Sequence, residues 1–348
     1  MYFSPHAYLT VLVPSFLALI GTVLAARFIA AYFFKAGIVG EDKNKPKPVR
    51  LPGSGGIAVA FGLIVGILAY TFGGSFLFVP ILSVEPLLAT ALSIMLITFV
   101  GFLDDLNVRE KKVKSTDMMD IREGLKQWQK PLLTVIGAFP LMAINAGIST
   151  VVLPFIGTVD LGLVYPIIII PIAVVFASNA FNLLGGFDGL QPGMGIVAAL
   201  GLLIYSIYFG NGTGILLSAV LSTALIAFLY FNKYPARILP GDSFTYCVGA
   251  VLVAIMIMGN AEMFGIIVFL PWIIEFFLHL KRKFKVTDLG VLQKDGTLKA
   301  PYDGKIYSLT HVVMNLKKAT EKEVTNYLVL LEVLFVILAF GLKFLGIF

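Results

Sequence analysis

Runs of about 20 apolar residues, separated by short polar stretches, constrain this chain more than any other feature. A bilayer core about 30 Å thick is crossed by roughly that many helical residues. Apolar residues fill 58% of the 348 positions and charged residues 13%, against about 45–50% and 25% in soluble domains, which argues against a soluble globular fold. A membrane barrel needs short strands of alternating polarity, and segments such as "YPIIIIPIAVVFA" do not alternate. The pattern predicts an all-α polytopic membrane protein forming one domain over 1–348. The single cysteine, Cys247, allows no internal disulfide and no cysteine-based zinc site. No cleavable signal peptide is expected, because the first apolar run exceeds a signal h-region and has no basic segment before it.

Ten spans are predicted, at about 8–34, 54–72, 86–103, 131–147, 164–182, 194–209, 213–231, 243–258, 263–280 and 324–345. With that count, 24 of the 26 lysines and arginines fall in loops on one side. The positive-inside rule makes that side cytoplasmic and puts both termini outside. The net charge of +6 is then gathered at one membrane face, where it suits anionic lipid headgroups. The basic loops lack the aromatic interleaving of a nucleic-acid surface, so no nucleic-acid partner is expected. Outside, "STVVLPFIGTVDLG" alternates around Gly157 and predicts a small hairpin. The largest loop, about 281–323, is expected to pack on the inner face.

Three polar clusters stand at cytoplasmic span ends, where an ionised carboxylate in apolar surroundings needs a partner. "FVGFLDDLN" closes the third span with Asp104 and Asp105. Neighbouring helical side chains diverge by about 100 degrees, so the two carboxylates face different groups; an ordinary charged helix end is the alternative. "SNAFNLLGGFDGLQPG" puts Asn179 and Asn182 on one helix face, followed by Asp188 and Gly189 in a glycine-rich stretch. Amide and carboxylate oxygens suit Mg²⁺, and glycine-flanked N–H groups suit phosphate or a nucleobase edge; a glycine-rich inter-span loop explains the same residues. In "ARILPGDSFTY", Asp242 precedes an apolar run, which fits a helix N-cap as well as a metal ligand. Together the clusters have the composition of a diphosphate and Mg²⁺ site.

"GFLDD", "NAFNLLGGFDGL" and "PGDSFTY", in that order on a multispan scaffold, resemble the polyprenyl-phosphate N-acetylhexosamine-1-phosphate transferases. The resemblance covers nearly the whole chain. The last cytoplasmic loop lacks the histidine-rich motif of the bacterial branch; "LKRKFKVTDLGVLQKDGTLKAPY" and "GDSFTY" look like the eukaryotic and archaeal dolichyl-phosphate branch. The resemblance implies transfer of N-acetylglucosamine 1-phosphate from UDP-N-acetylglucosamine to a dolichyl-type polyprenyl phosphate, with release of UMP, as the first lipid-linked step of N-glycosylation. It implies an archaeal cell membrane or an endoplasmic reticulum membrane, with the site facing the cytoplasm. A family enzyme using another UDP-N-acetylhexosamine is the alternative, and a homodimer is a further expectation.

By the same resemblance, Asn182 and Asp242 match the Mg²⁺ ligands and Asp188 the residue that reads the uracil edge, with Asn179 and Gly189 beside it. Asp104 and Asp105 match the acidic pair, and Lys130 the lysine that opens the fourth span, with Lys114 as a competing match. Lys281, Arg282, Lys283 and Lys285 occupy the place of the diphosphate-binding residues, and Arg50, in "RLPGSGGI", opens the segment bordering the nucleotide. Direct attack by the acceptor phosphate on the sugar-linked phosphorus is favoured over an aspartyl-phosphate route. Asp105, nearer the polar loop and Lys130, is expected to be the more sensitive of the pair. A nucleotide-sugar transporter would instead collect its polar groups near the bilayer midplane.

Overall fold

A computed structural model describes residues 5–77, 82–106, 109–111, 121–123, 125–126, 128–153 and 157–348. The described residues are mainly helical, with four two-stranded hairpins between helices. Helix α1 (Pro5–Ala36) is followed by hairpin β1 (Val39–Asp42) and β2 (Val49–Pro52), then α2 (Gly56–Phe76) and α3 (Val84–Leu106). Strands β3 (Arg109–Lys111) and β4 (Ile121–Glu123) precede the short helices α4 (Gln129–Thr134) and α5 (Phe139–Ala143). The hairpin expected around Gly157 forms as β5 (Thr150–Leu153) and β6 (Gly157–Asp160), paired antiparallel. Helices α6 (Ile170–Leu183), α7 (Leu190–Phe209), α8 (Gly212–Asn232) and α9 (Gly241–Met258) follow. The chain ends with α10 (Glu262–Val268), α11 (Leu270–Leu280), hairpin β7 (Val291–Leu292) and β8 (Leu298–Lys299), α12 (Leu309–Leu316) and α13 (Glu321–Phe344).

Among the described residues, eight helices are long and apolar enough to cross a membrane, and α10 with α11 makes a ninth if that pair, bent by 58°, counts as one span. The chain is thus a polytopic helical membrane protein. Proline accounts for the break between α10 and α11: Pro271 opens α11, and a residue without an N–H fits the first turn of a helix but not its interior. The span expected at 131–147 is instead a run of short pieces, α4, a 3₁₀ turn at Val135–Ala138 and α5. Pro140 sits in the first turn of α5, so the same rule interrupts this segment. The competing Lys114 lies outside the described residues.

Helix α9 forms the axis of the bundle. Every residue from Ser243 to Ile257 is buried, between α2, α3, α6 and α8. Lipid tails are as apolar as leucine, so such packing rests on close fit and small residues rather than on hydrophobic expulsion. At Gly101 of α3 a Cβ would stand 2.5 Å from the Asp242 carbonyl oxygen and 2.6 Å from the Ser243 nitrogen, so only glycine lets α3 meet the start of α9. Around the axis, α1 and α13 turn residues such as Phe28, Tyr32, Leu334 and Ile337 outward, as lipid-facing helices do. A capping box of Thr320 and Glu323 starts α13 and satisfies two otherwise orphaned N–H groups.

Candidate active site

The neighbouring acids at the end of α3 have separate partners. Asp104 is 2% exposed, and its Oδ2 lies 2.6 Å from Lys130 Nζ. Its Oδ1 accepts the Leu125 N–H at 3.0 Å, and Tyr246 of α9 donates its hydroxyl to Oδ2 at 3.3 Å. Asp105 turns toward α9, accepting the N–H of Asp242 at 2.7 Å and of Ser243 at 3.2 Å. Those two amides are orphan donors at a helix N-terminus, so Asp105 caps α9 from another helix. Gly241, at φ +75°, makes room, since a Cβ there would come within 2.5 Å of Asp105 Oδ2. The lysine's close partner within the pair is therefore Asp104.

Capping by Asp105 releases Asp242 from the N-cap role its sequence suggested. Pro240 holds the N-cap position and Asp242 sits inside the first turn, with Oδ2 3.0 Å from Lys130 Nζ. Lys130 thus bridges α3 and α9. Burial alone would lower the pKa of its ammonium, but the charges of Asp242 and Asp104 more than offset this and hold it above its ordinary value. Two carboxylates, Asp104 and Asp242, meet one ammonium here, leaving a surplus of negative charge.

Helix α6 runs antiparallel to α9 and supplies the asparagines. The Phe181 and Phe244 rings lie 6.4 Å apart, and Gly249 packs on the Ala177 carbonyl, which brings Asn182 to the end of α9 that carries Asp242. The Asn182 side chain is half-buried and makes no hydrogen bond among the described residues. Asn179 is engaged: its amide donates to Thr134 Oγ1 at 3.0 Å and to the Val175 carbonyl at 2.8 Å. Thr134 in turn donates to the Lys130 carbonyl. Asn179 therefore fastens α4, and with it Lys130, to α6.

Asp188 belongs to a second cluster, which sequence reasoning missed. Lys45, between β1 and β2, places Nζ 3.0 Å from Asp42, 2.9 Å from Asp188 and 2.5 Å from Glu321, beneath the Tyr234 ring. Burial would lower the Lys45 pKa, but hydrogen bonds to Glu321, Asp188 and Asp42 raise it above its ordinary value. Asp188 Oδ2 also accepts the Ala236 N–H at 2.9 Å. Gly189, at φ +77°, opens α7 and donates its N–H to Asn232 Oδ1. These residues tie the glycine-rich loop to the N-terminal hairpin and to α13. Separations of 143 and 276 residues between Lys45 and its acids leave no local pattern to find.

Arg50 is exposed on β2, 3.8 Å from Glu41. The segment after it bonds to the run entering α9: Leu239 donates to Pro52 at 2.9 Å, Gly55 to Leu239 at 3.0 Å and Gly56 to Pro240 at 3.1 Å. Lys281, Arg282, Lys283 and Lys285 are exposed in the turn that leaves α11. Beside that helix, an apolar groove of about 510 Å³ runs between α4, α6 and α11, lined by Pro131, Leu132, Val175, Phe176 and Phe276 with Asn179 as its polar lining residue.

Comparison with known proteins supplies the remaining context. The profile of glycosyl transferase family 4 matches residues 87–260. A Saccharolobus solfataricus protein, provisionally named a UDP-N-acetylglucosamine–dolichyl-phosphate N-acetylglucosaminephosphotransferase, is 36% identical over 336 residues, 95% of each chain. The Dictyostelium discoideum protein of that name is 25% identical over 89% of this chain and 82% of its own. A Clostridioides difficile phospho-N-acetylmuramoyl-pentapeptide-transferase is 32% identical over 47% of this chain and 50% of its own.

Proposed function

Because the chain belongs to glycosyl transferase family 4, we propose that it transfers N-acetylglucosamine 1-phosphate from UDP-N-acetylglucosamine to a dolichyl-type polyprenyl phosphate and releases UMP. The observation that carries this reading is Lys130 held between Asp104 and Asp242 at the meeting of α3, α4 and α9. An ammonium fixed by two carboxylates is set in place before substrate arrives, and such preorganised charge stabilises a transferring phosphoryl group without reorganising. The site faces the cytoplasm in this reading, where a soluble nucleotide sugar meets a membrane lipid.

Asp242 and Asn182 are hard oxygen donors, and the surplus negative charge around Lys130 favours a cation, so this donor set fits Mg²⁺. Bound there, Mg²⁺ would neutralise the donor diphosphate as UMP leaves. The acceptor is largely ionised near pH 7, its second pKa being about 6, and needs little general-base help. Its oxygen bonds to the sugar-linked phosphorus while the bond from that phosphorus to UMP breaks, the leaving UMP taking the electron pair. Lys130 offers its N–H donors to the phosphoryl oxygens, Asp104 orients it, and Asp105 fixes the backbone of Asp242. The apolar groove beside α4 and α11 takes the polyprenyl chain.

Detergent-solubilised protein given radiolabelled UDP-N-acetylglucosamine, dolichyl phosphate and Mg²⁺ should produce lipid-extractable label and an equal amount of UMP. A panel of UDP-N-acetylhexosamines yielding no lipid-extractable label would refute the assignment.

A further inference from the structure

One carboxylate ties both ends of the loop between α11 and α12. Glu275, fully buried on α11, accepts the Leu309 N–H at the start of α12 through Oε2 at 2.7 Å. Its Oε1 lies 2.9 Å from His279 Nε2, which also stands 2.9 Å from Asp288 Oδ1. The closure is doubled: Thr310 donates its hydroxyl to the Asp288 carbonyl at 2.7 Å, and His311 Nε2 donates to the Thr287 carbonyl at 2.9 Å.

Between His279 and Asp288 the backbone is unusual. Lys283 and Phe284 stand at φ +52° and +60°, a left-handed region that residues with side chains enter rarely and keep only where their surroundings hold them. Phe284 packs on Phe276, ring centroids 5.3 Å apart, and Phe276 on Phe176 of α6 at 5.2 Å. The next anchor is Leu289, which fits against Gly186 so closely that a Cβ there would come within 2.7 Å of it. The turn therefore stands between the apolar groove and the glycine-rich loop. Arg282 stacks over Tyr302 at 4.6 Å, while Lys281, Lys283 and Lys285 are exposed and make no ion pair among the described residues. Four like charges within five residues, Arg282 among them, repel one another, so an unclamped turn would spread them apart.

We infer that Glu275, His279 and Asp288 form a clamp that holds the 281–285 turn in its left-handed shape, so that the basic residues to which the family resemblance assigns the donor's diphosphate stand preformed as an anion grip. His279 is on this account a positioning residue: it acts through the lysines. Preforming the grip lowers the ordering cost of binding. The inference rests on the transfer reaction proposed above.

The test is a kinetic cycle on the full-length enzyme with UDP-N-acetylglucosamine as the varied substrate. His279→Ala should raise KM about tenfold with kcat changed less than about threefold. His279→Gln, whose amide offers two N–H donors to the two carboxylates, should restore KM to within about threefold of wild type. In a Lys281→Ala/Lys283→Ala/Lys285→Ala background, adding His279→Ala should change nothing further, because the grip it positions is gone. The clamp is also read without turnover: amides of residues 281–289 should exchange faster in His279→Ala and recover in His279→Gln. Where His279→Ala does not extract as folded protein, Asp288→Asn carries the same expectations. Additive effects, a fall in kcat at unchanged KM, or unchanged exchange would overturn the clamp. So would stoichiometric zinc in the purified protein that His279→Ala removes, since a metal would then hold the three groups. A wild-type enzyme that releases no UMP refutes the proposed reaction instead.

Discussion

Replacing Asp105 with alanine separates a cap from a catalyst. The carboxylate accepts two N–H groups at the head of α9, at 2.7 and 3.2 Å. Loss of an N-cap costs about 0.5–2 kcal/mol, and leaving a buried donor unsatisfied costs about 1–3 kcal/mol. These overlap, so Asp105→Ala should destabilise the protein by about 2–3 kcal/mol. At about 2 °C per kcal/mol, the low end for larger domains, the detergent-solubilised protein should melt roughly 4–6 °C lower. Asp105→Asn keeps one acceptor oxygen and should lose less than half of that. Turnover should fall about 10- to 100-fold in the alanine variant, since Asp242 shifts with its loosened backbone and misplacement by about 1 Å costs about 100-fold. Thermal midpoints and lipid-extractable counts measured on both variants decide the matter. Complete loss of turnover in both at an unchanged midpoint would show that the Asp105 carboxylate takes part in the chemistry. Acceptor-independent exchange of labelled UMP into UDP-sugar would then be the signature of an aspartyl-phosphate.

Asp242→Ala should abolish transfer yet leave the protein extractable, because Asp104 still pairs with Lys130 and Asp105 still caps α9; near-wild-type lipid labelling at saturating Mg²⁺ would remove it from the site. Lys45→Met leaves Asp42, Asp188 and Glu321 without their shared cation and should cost about 3–5 kcal/mol. Burial already holds the Asp42 carboxyl above its ordinary range, and the hydrogen bond from Lys45 that opposes this is lost in the variant. A raised acid favours the folded state below its folded pKa and loses that favour as pH rises through it, so Lys45→Met should melt higher at pH 5 than at pH 8, and the opposite slope would refute the account. Val175→Trp, which fills the groove between α4, α6 and α11, should raise KM for the polyprenyl phosphate several-fold with little effect on the nucleotide sugar; the reverse pattern would place the lipid elsewhere.

The apolar runs made the long helices legible because a membrane span needs only length and hydrophobicity, and both are local. The breaks at 134–139 and at Phe269 were harder, since hydropathy averages over a window that a single proline does not move. Asp104, Lys130 and Asp242 were each visible as polar residues at span ends, and their convergence followed from the order of the spans. Which neighbour of the acidic pair meets Lys130 was not visible, because it depends on the rotation of α3 against α9, set by Gly101 and Gly241. Asp242 reads locally as a cap, and only a cap arriving from another helix overrides that reading. Lys45 and Glu321 look like ordinary loop and helix-start charges until the fold brings them together.

The enclosure of α9 has a consequence for how the enzyme is made. Asp104 and Lys130 emerge from the ribosome long before Asp242, which rides on a helix that must enter between α2, α3, α6 and α8, all of them already synthesised. Until that late helix seats itself, Asp105 has no amides to hold and Lys130 has one acid instead of two. A nascent chain halted before residue 241 therefore carries most of the membrane helices and none of the completed site, so activity switches on as a late event of biogenesis. Folding variants that delay the seating of α9 would accumulate inserted, inactive protein.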